Sequence, residues 1–260
     1  MSLNRTRFYF VGADTVGFDY YHGMPIDYPS GAAEITATAS TAANPDGVGV
    51  EMQRMTVPER PVNINGYIIA LPSAPCRRQL ERAFAPLAKG RLWAVTEDRR
   101  KFWLDCVSAG LAIEGAQKFP RFQVQLLAAY PYWQADETRV VTVTAAETRG
   151  QTAAEIVTDV PALFTLRIAA AGGGASGLRL AAGDAWLNYG GDLADGEVLT
   201  VSADAAGRVS ADVDGQSVVG LISGELKKLT AGAQVLTLTA QSNAGVLTAT
   251  ISYKEARTGV

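Results

Sequence analysis

The chain of 260 residues contains one histidine, two cysteines and four tryptophans, and charged residues make up only 19%. A single histidine, His22, restricts any Ser-His-Asp triad to that residue, and no Gly-x-Ser-x-Gly elbow is present for it to serve. His22 therefore reads as a structural or surface side chain within an aromatic strand-turn region. Cys76 and Cys106 lack metal-ligand spacing and are too few for a secreted disulfide framework, so two reduced, buried thiols are expected. The apolar run Phe8–Gly12 is too short for a signal-peptide core. No stretch approaches the ~20 apolar residues of a spanning helix. These absences predict a soluble protein made in the cytoplasm, with no membrane insertion. The net charge of −3 is too small to imply a nucleic-acid partner.

Hydrophobic residues make up 48% of the chain, enough for packed cores, and the composition divides near Trp133. Residues 1–133 carry 14 Lys/Arg and 12 Asp/Glu, net +2, whereas residues 134–260 carry 9 and 14, net −5. Aromatic residues divide 17 to 4 and prolines 10 to 1 across the same point. At about 150 residues per domain, the length also favours two domains. The expected domains are 1–133 and 134–260.

In the first half, Arg7–Val11, Phe18–Tyr21, Met24–Tyr28, Ala33–Thr38 and Val50–Val57 read as strands, with a Pro-Asp-Gly turn at Asn44–Gly47. Val62–Ala70 is a further strand, with Gly66 marking a possible bulge. Ser73 and Pro75 then open a helix carrying Leu80, Phe84 and Leu87 on one stripe, closed by Lys89-Gly90. Strands at Arg91–Val95, Phe102–Val107 and Phe119–Ala128 follow, the first two joined by the turn Glu97–Arg100. After residue 134 short strands recur at intervals of roughly 8–12 residues, the pattern of a β-sandwich. The clearest are Val140–Thr144, Leu163–Ile168, Leu178–Leu180, Ala185–Tyr189, Val198–Ser202, Val209–Val213, Val235–Thr239 and Val246–Tyr253. The fold class is mainly β, with one helix in the first half.

Three apparent motifs lose their force in context. Gly172–Gly177 matches G-x-G-x-x-G, but a strand pattern follows where a dinucleotide site needs a helix N-terminus. Asp212–Gly215 opens like a calcium loop without the later bidentate Glu, and reads as a hairpin turn. Trp93, Trp103, Tyr132 and Trp133 suggest either an aromatic sugar platform or core packing. No catalytic, cofactor or metal residues are assigned, and no enzyme is expected.

Residues 77–101 hold eight Lys/Arg against three acids. Arg77, Arg78, Arg82, Arg99 and Arg100 allow three readings: nucleic-acid binding, a solvated face, or a contact with acidic surface on a neighbouring subunit. Sequence-specific nucleic-acid binding lacks a matching motif.

The order of residues also resembles a known family. Arg60–Gly66, the helix from Arg78 to Leu87, the strand end Phe119–Val124, the closing Tyr130-Pro131-Tyr132-Trp133, the approach Gly220–Leu229 through Ala231-Gly232, and the final Gly259-Val260 are together similar to the distal tail proteins of long-tailed bacteriophages. The family's first domain ends close to Asp-Pro-Tyr-Trp; here Ala129-Tyr130 stands at the acidic position. The resemblance implies an N-terminal tail-tube-like β-sandwich with one helix and a C-terminal galectin-like β-sandwich. It implies a phage or prophage virion component at the tail tip, forming a hexameric ring between the tail tube and the tail-tip or baseplate hub. In some phages that ring carries receptor-binding proteins. The alternative is a carbohydrate- or host-receptor-binding module using the C-terminal sandwich, where Phe164, Trp186, Tyr189 and Tyr253 are the available aromatics.

Overall fold

The computed structural model describes residues 6–260 except 34, 36–37, 44–49, 116–117, 184, 205–207 and 227, and gives backbone alone for 38–43 and 50–56. The fold is mainly β, with 59% of residues in strands and one α-helix. Backbone contacts divide the chain into Met1–Asp136 with Arg257–Val260, and Glu137–Ala256. Composition alone draws its line at Trp133 and has no means of assigning the last four residues to the first unit.

In the first unit the strands are β1 (Arg7–Val11), β2 (Thr15–Phe18), β3 (Thr38–Ala43), β4 (Val50–Thr56), β5 (Arg60–Tyr67), β6 (Lys89–Val95), β7 (Lys101–Ile113), β8 (Arg121–Ala128) and the start of β9 (Trp133–Ala145). The helix is α1, Ala74–Ala83. The sheet runs β2-β1-β6-β7, all antiparallel, and continues through β8 to β5. β3 and β4 form a separate two-stranded ribbon.

β7 changes neighbours along its length. Lys101–Val107 pairs with β6, Phe102 and Trp103 also pair with β9, and Val107–Ile113 pairs with β8 with a bulge between Ser108 and Gly110. The bulge bends the strand and lets one element serve two parts of the sheet. Alternation sets the buried face: β8 reads exposed-buried throughout, placing Phe122, Val124, Leu126 and Ala128 inside. They join Phe8, Phe10, Phe18, Leu80, Phe84, Phe102 and Trp133 in one core.

Four elements differ from the sequence expectation. The helix stops at Ala83 instead of running to Lys89-Gly90, and those two residues open β6. Buried Ser108 explains the stop: its Oγ donates to the Phe84 carbonyl at 3.0 Å, and its carbonyl accepts the Leu87 N–H at 3.0 Å. The sheet thus satisfies groups that another helical turn would have satisfied. Leu87 lies at φ 65° and is 79% exposed, so it leaves the apolar stripe. Met24–Tyr28 supplies only an isolated bridge, Ile26 to Gly66. Strand β2 ends at Phe18, leaving Tyr20 and Tyr21 exposed. Gly66 sits in regular register opposite Phe122 without a bulge; a Cβ there would lie 2.6 Å from the Pro25 carbonyl oxygen, so close approach of that segment is what calls for glycine. The turn at Asn44–Gly47 and half of Ala33–Thr38 (34, 36 and 37) lie outside the described residues.

The second unit packs two antiparallel sheets. One contains the rest of β9, then β20 (Val246–Arg257), β11 (Phe164–Ala171), β14 (Val198–Ala203), β15 (Val209–Val213) and β16 (Gln216–Ser217), in that order. The other runs β10 (Arg149–Ile156), β18 (Gly232–Thr239), β12 (Ala175–Ala182), β13 (Ala185–Leu193) and β17 (Ile222–Gly224), with β19 (Ser242–Asn243) against β12. The core is chiefly aliphatic, including Leu166, Ile168, Leu180, Leu199, Leu236, Leu238, Leu247 and Ile251. Among the described residues the only helical turn is 3-10, Val219–Leu221. β10 is not predicted by the sequence pattern. Its Arg-Gly-Gln-Thr-Ala-Ala-Glu-Ile lacks apolar alternation because only Ile156 is fully buried.

Candidate assembly surfaces

The five arginines singled out by charge occupy two places. Arg77, Arg78 and Arg82 lie on α1, away from buried Leu80 and Ala83. Arg77 pairs with Glu81 at 3.4 Å, one turn on. Arg82 reaches Asp14 at 2.9 Å, while Gln79 Nε2 donates to the Thr15 carbonyl at 2.7 Å. These contacts tie α1 to the β1–β2 turn, at the end of the sheet where β6 begins. Arg78 is exposed and makes no ion pair among the described residues.

Arg99 and Arg100 lie instead in the turn after β6 ends. Arg99 adopts φ 64°, and its N–H donates to the Thr96 carbonyl at 2.9 Å. Thr96 Oγ1 also hydrogen-bonds Asp98, whose carboxyl falls below the usual range mainly through that bond. The Arg100 guanidinium lies 5.0 Å over the Phe102 ring, and Arg257 lies 4.7 Å over the same ring. The seven residues of β6 span about 20 Å at the strand rise of ~3.3 Å per residue, separating this turn from the Arg82 end.

The domain-closing motif is mostly interior. Trp133 is fully buried, packs near Phe8 and donates from Nε1 to the Ala32 carbonyl at 2.9 Å. Tyr130 and Tyr132 meet edge to face at 5.3 Å, Pro131 is buried, and burial pushes the Tyr130 hydroxyl up to about 12. Of the other two aromatic candidates, Trp93 stacks in parallel on Tyr9 at 5.8 Å, and Trp103 is buried beneath Arg91.

A buried arginine, Arg60, which opens the stretch Arg60–Gly66 but which no sequence pattern predicts to be buried, sits beside this motif. Arg60 is 3% exposed, and its Nη2 donates to the Thr258 carbonyl. The Tyr28 hydroxyl donates to the Val260 carbonyl. Burial lowers Arg60 to about 10, against the favourable influence of Tyr28, Cys106 and Tyr132. These contacts hold the C-terminal residues in the first unit, across more than 190 positions of sequence that no local pattern could bridge.

The remaining candidates lie apart. His22 is exposed and pairs with Asp19 at 2.7 Å. Desolvation raises the Asp19 carboxyl, but hydrogen bonds from the His22 backbone and ring outweigh it and leave Asp19 below its usual value. Gly172–Gly177 leads directly into strand β12, and the Gly172 N–H is taken by Asp195 at 2.7 Å. Asp212 accepts the Gly215 N–H at 3.1 Å within a hairpin turn. Among the described residues no group of three or more His, Cys, Asp or Glu is placed to hold a metal. Phe164, Tyr189 and Tyr253 are buried, and the half-exposed Trp186 carries the Arg179 guanidinium 5.0 Å over its ring.

No protein-family model and no curated protein matches this sequence. Solved structures do match. The Dit protein (gp 19.1) of phage SPP1, described as a paradigm of the hub adsorption apparatus in phages infecting Gram-positive bacteria, superposes with a TM-score of 0.70 at 14% identity, covering 96% of this chain and 98% of that one. The fold is that of a phage distal tail protein. A chain of the phage P2 baseplate in its activated conformation with Ca matches at TM-score 0.50 and 8% identity, over 98% of this chain and 99% of that one. Each likeness spans both units of this chain.

Proposed function

We propose that this chain is a structural protein of a phage or prophage tail tip. It forms a six-fold ring joining the tail tube to the hub or baseplate and serves in the virion after synthesis in the host cytoplasm. The observation that carries the reading is the match to SPP1 Dit over nearly the full length of both chains. The ring is built from the first unit, with its boundary near residue 133, and the outer unit is a galectin-like sandwich available to receptor-binding proteins.

A closed ring brings unlike patches of neighbouring subunits together. Arg77, Arg78 and Arg82, or the separate pair Arg99 and Arg100, supply a basic patch for acidic surface on a neighbour or a tail partner, and Tyr130–Trp133 serves as internal support. Negative-stain electron microscopy with multi-angle light scattering over a concentration series tests the reading. Six-fold rings with a central hole are expected. A monomer at every concentration, with no ring formed on adding a tail-tube protein, would overturn it. The carbohydrate-binding alternative rests on Trp186 alone, since the other three aromatics of that unit are buried.

A further inference from the structure

We infer that the outer edge of strand β10 is a self-complementary contact, at which two copies of this chain pair antiparallel across a two-fold axis at Thr152. This goes beyond ring formation, because a two-fold contact joins like surfaces and cannot close a six-fold ring.

β10 is an edge strand. Over Arg149–Ile156 it pairs residue by residue with β18, from Arg149–Thr239 to Ile156–Gly232, without a bulge. Among the described residues it has no strand on its other side. Along these eight residues alternate backbone N–H and C=O groups point away from β18 and offer a template for another strand, and folds usually guard such edges with proline, bulges or central charges. β10 has none of these between Gly150 and Ala154.

The side chains select one occupant and one register. Arg149, Gln151, Ala153 and Glu155 are exposed on one face, while Gly150, Thr152 and Ala154 are half-buried on the other. A two-fold axis perpendicular to the sheet pairs residues of the same face. Centred on Thr152, it sets Arg149 opposite Glu155 of the second copy, twice per pair, and Gln151 opposite Ala153. Neither Arg149 nor Glu155 has an ion-pair partner among the described residues. Moving the axis to residue 151 would oppose Glu155 to Glu147, and moving it to 153 would leave Arg149 opposite Val157. The neighbouring β18 adds Val235, 53% exposed and opposite Ala153, and Ala233, opposite Glu155, on the same face; together they line a shallow recess of about 300 Å³ next to the edge.

The test is sedimentation velocity of the full chain over a concentration series, comparing wild type with Arg149→Glu, Glu155→Arg and the double variant. Wild type is expected to show a two-fold association. Each single reversal turns two attractive cross-strand pairs into two repulsive ones and should weaken that association about tenfold. The double variant should restore it. Equal association in all four proteins, or no two-fold association in wild type, overturns the proposal. Weakened singles without rescue overturn the register centred on Thr152. Rings that form alike in all four leave the ring reading standing whatever β10 does.

Discussion

Replacing Trp133 tests whether the first unit is assembled around its closing motif. The side chain is fully buried, its indole N–H donates to the Ala32 carbonyl at 2.9 Å, and its ring packs near Phe8. A buried aromatic of this size removes about 150–250 Å² from water. At about 25 cal/mol per Å², that corresponds to roughly 4–6 kcal/mol as an upper bound. Truncations of this kind cost about 3–5 kcal/mol once relaxation is included. Trp133→Ala should therefore cost about 4 kcal/mol. Trp133→Phe keeps most of the apolar surface but strips the Ala32 carbonyl of its donor, so about 1–3 kcal/mol is expected. Urea unfolding followed by tryptophan fluorescence separates the units, because Trp93 and Trp103 report on the first and Trp186 on the second. With a urea dependence of about 2 kcal/mol per molar, the first transition should fall by about 2 M in the alanine variant. The second transition should not move. A loss below about 1 kcal/mol in Trp133→Ala, or equal shifts in both transitions, would refute the reasoning.

Two further outcomes follow from the titrating groups. Burial pushes the Cys106 thiol up to about 12, and Cys76 is raised less strongly, also by burial. Since the thiolate is the reactive form, the native protein at neutral pH should release at most one equivalent with a thiol reagent, slowly, and two after denaturation; fast release of two from the native state would contradict the packing. Asp19 lies below its ordinary value of 3.8 because bonds from His22 outweigh desolvation. A carboxyl with a depressed folded value stabilises above its unfolded value and loses that contribution as the pH falls through the folded one. The stability gap between wild type and Asp19→Asn should accordingly be present at pH 6 and narrow as the pH falls below 3.8; a gap that does not narrow on acidification would assign it to another cause.

Much of the fold is legible in the order of residues, and its limits are instructive. Strands β6, β8, β12, β14 and β20 are read directly because their alternating apolar residues face the core of their own unit. β10 escapes because it buries one large side chain, so its strand state comes from pairing with β18 alone. The length of α1 escapes for a related reason: Leu80, Phe84 and Leu87 fit one helical stripe, but buried Ser108 claims the Phe84 carbonyl and the Leu87 N–H. Gly66 reads locally as a bulge, whereas the Pro25 backbone passing above it is the reason for glycine.

The assembly candidates divide in the same way. Sequence marks Arg77, Arg78, Arg82, Arg99 and Arg100 as one cluster because they are near in number; the sheet sets the turn pair about 20 Å along β6 from the Arg82 end. Sequence marks Trp133 through its motif, and burial supplies the reason for it. Arg60 and Val260 lie in stretches that carry the family resemblance, but nothing local in the sequence pairs Arg60 with Thr258 or Tyr28 with Val260. Composition and periodicity determined that this protein is mainly β, has one helix and changes character near residue 133, because those properties are written in neighbouring residues. Tertiary structure alone decided where the helix ends, which edge stays open and where the C-terminus is held, because each depends on groups far apart in the chain competing for the same hydrogen bonds.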